Sequence, residues 1–102
     1  MSDLLTQEAI EARLAFLPKW TLEDAQLVCE FRFDTYLAGI EFVRALATEA
    51  EALNHHPDLF VGWRKVTVKL TTHSAGGITP LDFEMAERAD RCAAKNGGAD
   101  AV

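Results

Sequence analysis

Residues 27–33 alternate between two kinds of side chain. Leu27, Cys29, Phe31 and Phe33 fall on one side, and Val28, Glu30 and Arg32 on the other. A period of two is the signature of a strand with one face buried and one face wetter. Such a strand needs neighbours along its edges and apolar cover on one face, so the rest of the chain has to supply both. The stretch from Trp20 to Phe33 reads as a hairpin whose turn falls at Glu23-Asp24-Ala25-Gln26. Phe60 to Thr72 reads as strand again, with Val66, Val68 and Leu70 on one face and Lys65, Thr67, Lys69 and Thr71 on the other.

The cover comes from three segments of helical periodicity. Thr6-Gln7-Glu8 supplies a capping hydroxyl and a carboxylate in the first turn, and Ile10, Leu14 and Leu17 follow at spacings of four and three before Pro18 stops the helix. Asp34-Thr35 caps a longer helix, residues 35 to 53, whose apolar stripe is Tyr36, Ile40, Val43, Ala47, Ala50 and Leu53. Pro57 disfavours helical geometry at His56 and places the end near Asn54-His55. Thr79-Pro80-Leu81-Asp82 opens a last helix that runs to Lys95: an N-cap hydroxyl, proline at the first helical position, and a carboxylate three residues on. Gly97-Gly98 end it, and the tail is expected to fray. Helix, two strands, long helix, one or two strands, helix is the order of an α+β sandwich, with helices on one face of an antiparallel sheet.

The 102 residues fit one domain, residues 1–102, small enough that association with further copies is expected. Ten Lys and Arg stand against 16 Asp and Glu, a formal charge of −6, with Arg64-Lys65 the one adjacent basic pair. Phosphate-rich partners call for clustered basic residues, so neither nucleic acid nor an anionic membrane is expected as partner. No apolar stretch reaches the roughly 18–20 residues of a membrane span. The start of the chain lacks the basic and apolar regions of a signal peptide. Cys29 and Cys92 show no metal-type spacing and read as reduced thiols. A cytoplasmic location follows as the expectation.

The chemistry concentrates at element ends. His55 and His56 sit where the long helix stops, and His73 where the second strand region stops. Histidine is suited to moving protons near neutral pH. Glu51, four residues before His55, shares a helix face with it and is expected to orient that ring. Asp82 is placed to do the same for another member of the set, and is a helix cap in its own right. Taken by spacing alone, the pair His55-His56 equally suits the negative end of a helix dipole. Three histidines also match the ligand count of a catalytic zinc site, although no HxH or HExxH spacing occurs. Trp20 and Trp63 read more readily as core or interface aromatics, and Gly76-Gly77 as a turn.

Beyond the spacing, the residues resemble a family. The run Glu51-Ala-Leu-Asn54-His55-His56-Pro57-Asp58, then Trp63, Thr72-His73, Gly76-Gly77, Asp82 and Ala86 in order, is similar to the signature of the pterin-4a-carbinolamine dehydratases. Upstream, Leu17-Pro-Lys-Trp20 resembles the stretch carrying that family's tryptophan, with Lys19 where glycine is common, and Phe31, Phe33 and Phe42 match its apolar positions. The likeness covers roughly residues 14 to 92.

The resemblance implies a four-stranded antiparallel sheet with helices packed on one face. It implies dimers or tetramers in which the sheet continues across the dimer. The activity it implies is conversion of 4a-hydroxytetrahydropterin, left by an aromatic amino acid hydroxylase, to quinonoid dihydropterin and water. No cofactor or metal is implied, the pterin being the substrate. The roles it suggests give His56 and His73 the proton transfers, with His55 holding or protonating the 4a-hydroxyl. Glu51 orients His55, Asp82 and Asn54 join the substrate pocket, and Trp20 offers a wall to the flat ring. It also leaves an alternative, because other members of the family serve as dimerisation or assembly factors, a non-catalytic pterin-binding role included.

Overall fold

The computed structural model describes residues 3–99. Helix α1 (Gln7–Leu14) begins where expected, Thr6 accepting from the Ala9 N–H at 3.1 Å. Strands β1 (Thr21–Glu23) and β2 (Gln26–Phe33) form the hairpin. Its two turn residues, Asp24 and Ala25, take φ of 50° and 61°, the paired left-handed conformation that matches the twist of a two-residue hairpin. Helix α2 (Tyr36–Leu53) follows, then β3 (Asp58–Val61), β4 (Lys65–Leu70), a 3₁₀ turn at His73–Ala75, α3 (Pro80–Lys95) and the short β5 (Gly98–Ala99).

The sheet runs in the order β1-β2-β4-β3, antiparallel at every pairing. The stretch expected as one strand from Phe60 to Thr72 is thus a hairpin, broken at Gly62–Arg64, where the Gly62 N–H bonds the Lys65 carbonyl at 2.8 Å. Register puts Cys29 opposite Val68 and Phe31 opposite Val66, so the period-two pattern of both strands delivers one continuous apolar face. Leu27, Cys29, Phe31, Phe33, Val66, Val68 and Leu70 are all buried on it. The opposite face carries Glu30, Arg32, Thr67 and Lys69, with the Lys69 ammonium 5.3 Å from the Phe60 ring centre.

Helices α2 and α3 cover the apolar face. Phe42 meets Phe31 and Phe33 at centroid distances of 4.9 and 5.2 Å. Arg88 ties the two helices together, donating to Glu49 at 2.6 Å and to Glu84 at 3.0 Å. The buried side of α2 is Gly39, Phe42, Leu46 and Ala50; of the expected stripe, Ala50 is buried and Val43 and Leu53 pack against the core, while Tyr36 and Ala47 are exposed. The helix is apolar over more than one face, and the sheet selects the face that carries Phe42 and Leu46. At the other end of the chain, Gly97 (φ 76°) ends α3. Gly98 and Ala99 then pair with Phe33 and Arg32 instead of fraying, while the expectation for residues 100–102 lies outside the described residues.

Candidate active site

The site forms where the C-terminal end of α2 meets the N-terminal end of α3. Helix α2 terminates because Asn54 adopts the left-handed conformation, φ 51° and ψ 43°. Its N–H bonds the Glu51 carbonyl at 3.2 Å, and the His55 N–H reaches back to Ala50 at 3.0 Å. This pair of bonds is the Schellman termination. Asparagine is one of the few residues other than glycine that enters this conformation readily. The reversal separates the two histidines that follow: His55 turns inward and is buried, and His56 is exposed.

Inside, the His55 Nε2 lies 2.5 Å from Asp82 Oδ1. Asp82 has no exposed surface at all. Its other oxygen accepts from the Thr72 hydroxyl at 2.8 Å and from the Thr79 N–H at 2.9 Å. The Thr79 hydroxyl lies 2.8 Å from that of Thr72, which leaves Thr79 as donor, because the Thr72 proton is already given to Asp82. The result is a chain from Thr79 through Thr72 and Asp82 to His55. A carboxylate whose oxygens all act as acceptors holds the His55 proton at Nε2. The ring's Nδ1 is then the atom free to accept or release a proton.

Outside, Glu51 Oε2 lies 2.5 Å from His56 Nε2, with both side chains exposed. The orienting carboxylate expected for His55 therefore serves His56, and Asp82 serves His55. The i,i+4 geometry would need the helix to continue through His55, but left-handed Asn54 ends it one residue earlier and brings His56 back over the last turn. His73 opens the 3₁₀ turn after β4 and is exposed. Among the described residues no side chain hydrogen-bonds its ring. A cavity of about 600 Å³ adjoins the network, sharing Thr72 and Thr79 with it and lined further by Asp3, Ser74, Pro80 and Leu81.

Two expected pocket residues are placed elsewhere. Trp20 is 3% exposed, its ring edge against Phe31 at 5.9 Å and its Nε1–H donated to Asp90 at 2.9 Å. It has no face left for a flat ligand and belongs to the core. Asn54 acts through its backbone, with its side chain exposed. Trp63, at the β3–β4 turn, is 73% exposed under the Arg64 guanidinium. Conversely, spacing does not point to the partners of Asp82: Thr79 is signalled only as the N-cap three residues earlier, and Thr72 only as the neighbour of His73 in the family-like run. Asp90 is a half-buried polar group beside the core, its carboxyl held above the usual range chiefly by burial and pulled back in part by the Trp20 hydrogen bond. Burial, and next the Asp90 charge, push the neighbouring Cys29 thiol up to about 12. Among the described residues, no three His, Cys, Asp or Glu side chains converge as metal ligands.

Fold and site together define a small α+β domain with two histidine–carboxylate pairs and a third histidine set at the ends of α2, β4 and α3. The family model described as pterin 4 alpha carbinolamine dehydratase matches residues 3–92. A protein of Mycobacteroides abscessus with the provisional name pterin-4-alpha-carbinolamine dehydratase is 49% identical over 87 residues, 85% of this chain and 93% of that protein. One of Natronomonas pharaonis with the same provisional name is 45% identical over 93 residues, 91% and 99% of the two chains. The chain belongs to the pterin-4a-carbinolamine dehydratase family. Among solved structures, a transcriptional coactivator/pterin dehydratase from Brucella melitensis superposes with a TM-score of 0.85 at 33% identity, over 88% of this chain and 98% of that one. A pterin dehydratase-like RuBisCO assembly factor of the alpha-carboxysome gives 0.60 at 25% identity, over 72% and 86%.

Proposed function

We propose that this protein dehydrates 4a-hydroxytetrahydropterin to quinonoid dihydropterin by histidine acid–base catalysis, with no added cofactor. The observation that carries the proposal is the pairing of each adjacent histidine with its own carboxylate, His55 with Asp82 and His56 with Glu51, in a chain of this family.

The reaction explains the residue types. The C4a–O bond breaks, N5 loses its proton, and the C4a=N5 double bond and one water form, so the proton count is unchanged. Hydroxide leaves poorly at neutral pH, and the site must protonate it while taking the proton from N5. His56 and His73 carry these transfers. His55, its Nε2–H held by Asp82, holds the 4a-hydroxyl through the Nδ1 lone pair, or protonates it once Nδ1 has itself taken up a proton. Glu51 orients the His56 ring. Positioned acid–base groups contribute about 10²–10⁴-fold each. The carbinolamine comes from an aromatic amino acid hydroxylase in the cytoplasm, in tetrahydrobiopterin-type recycling, and the protein works as a homodimer or homotetramer.

The test follows carbinolamine generated in situ by phenylalanine hydroxylase, with and without the protein. Faster decay, abolished by the double substitution His56→Ala and His73→Ala, is expected. A second reading, an assembly factor without turnover, is favoured by the likeness to the carboxysomal protein. Folded protein that leaves the decay rate unchanged would select it.

A further inference from the structure

The turn that carries His73 is closed on itself by the Thr72 N–H bonded to Gly77 at 2.9 Å and the Gly76 N–H bonded to Thr72 at 3.0 Å. Its far end, Gly77 and Ile78, is buried. What buries it comes from the start of the chain. The Leu5 N–H donates to the Ile78 carbonyl at 2.8 Å, and Leu5 packs against the core. Leu4 lies over Gly77 so closely that a Cβ built there would stand 2.7 Å from Leu4 Cδ1. Asp3 forms part of the wall of the adjoining cavity. Immediately after this segment, Thr6 caps α1, and Ile10 anchors that helix in the core. Residues 3–5 are thus tied at one end to a fixed helix and laid across the base of a loop. That loop carries His73 at one end and runs into Thr79 and Asp82 at the other.

We infer that residues 3–5 are a positioning strap for the dehydration step: Leu4 and Leu5 hold the 72–78 loop so that His73 stays in register with the His55–Asp82 pair. This rests on the proposed reaction, since His73 is the group being positioned. Leu4 meets the loop at Gly77 and Leu5 bonds it at Ile78, and the strap acts on His73 through these two residues. Its removal acts on the placement of one proton-transfer group. Misplacement of about 1 Å costs up to about 10²-fold.

Leu4→Ala is the test, measured beside Leu4→Met, His73→Ala and the Leu4→Ala, His73→Ala double variant. Leu4 is 51% exposed, so the core survives its truncation. Turnover should fall about tenfold with KM little changed, Leu4→Met should restore it, and Leu4→Ala should cost nothing further in the His73→Ala background. Amide exchange at Thr72 and Gly77 should quicken in Leu4→Ala. Should that variant melt broadly, Gly77→Ala displaces Leu4 from the loop side and carries the same test. Wild-type turnover in Leu4→Ala, or the same loss with and without His73, would overturn the strap. Absence of dehydration in the wild type would instead overturn the proposed function. Exchange alone would then decide the strap: quickened exchange supports it, and unchanged exchange refutes it.

Discussion

Removing the Asp82 carboxylate while keeping its shape separates the two things it does. Asp82 is fully buried and accepts three bonds, from His55, Thr72 and the Thr79 N–H. Asp82→Ala strands all three donors. A buried donor left without its acceptor costs about 1–3 kcal/mol, so the three together cost about 3–9 kcal/mol, against a total stability of about 5–15 kcal/mol for a domain of this size. At about 4–8 °C per kcal/mol, the melting temperature should fall by at least about 12 °C. Asp82→Asn behaves differently. Its amide oxygen still accepts from Thr79 and Thr72, and its NH₂ is left facing His55 Nε2. Two donors cannot meet there, so the His55 proton moves to Nδ1, and the ring can no longer accept at the atom that faces the reaction. A neutral bond replaces a charge-assisted one, a loss of about 1 kcal/mol. Turnover should nevertheless fall about 10²-fold, the lower end of what a positioned acid–base group contributes. Urea melts, ring-nitrogen NMR of His55 and stopped-flow turnover read the three effects. Asp82→Asn that folds, shifts the His55 tautomer and still turns over like the wild type would refute the reasoning.

Other expectations follow from single observations. Asn54→Gly should leave stability nearly unchanged, whereas Asn54→Ala, which keeps a Cβ at positive φ but loses the short polar side chain that eases it, should cost up to about 1 kcal/mol, read by urea melts. Because burial raises the Asp90 carboxyl above its unfolded value, the folded state binds that proton more tightly. Its contribution is therefore full below the unfolded pKa and is lost as pH rises through the folded one. Asp90→Asn, whose amide oxygen can still accept from Trp20, should flatten that acid-range loss and match or exceed wild-type stability at neutral pH in melts across a pH series. With its thiol pushed up to about 12, Cys29 should resist alkylation in the folded protein at mildly alkaline pH and react only in urea, as mass spectrometry would show.

The sequence carries the frame of this fold in its periodicities. Alternation at Leu27–Phe33 and at Val66, Val68 and Leu70 specifies both the strands and their buried face, because side chains in a strand have only two directions to point. The caps at Thr6, Thr35 and Thr79 place the helix starts within a residue. A helix that is apolar on several faces gives no such certainty, and the buried side of α2 was settled by Phe42 and Leu46 meeting the sheet. The break at Gly62–Arg64 hides in a strand-like run because only one glycine marks it. In the site, spacing singles out Glu51, His55, His56, His73 and Asp82 but mispairs one of the carboxylates. Glu51 shares a helix face with His55 only if the helix continues, and left-handed Asn54, a local backbone event, hands Glu51 to His56. Trp20 matches a family position, yet its contact with Asp90, 70 residues away, is a tertiary fact beyond any spacing rule. Thr79 is legible as a helix cap, but it and Thr72 become partners of Asp82 only when β4 and α3 are brought together.

The central claim is that paired histidines at these helix and strand ends move the protons of carbinolamine dehydration. The most direct measurement is stopped-flow decay of enzymatically generated 4a-hydroxytetrahydropterin with the wild type and with the double substitution His56→Ala and His73→Ala, each confirmed folded by circular dichroism. The account predicts strong acceleration by the wild type and none by the double variant. Equal acceleration by both would contradict it.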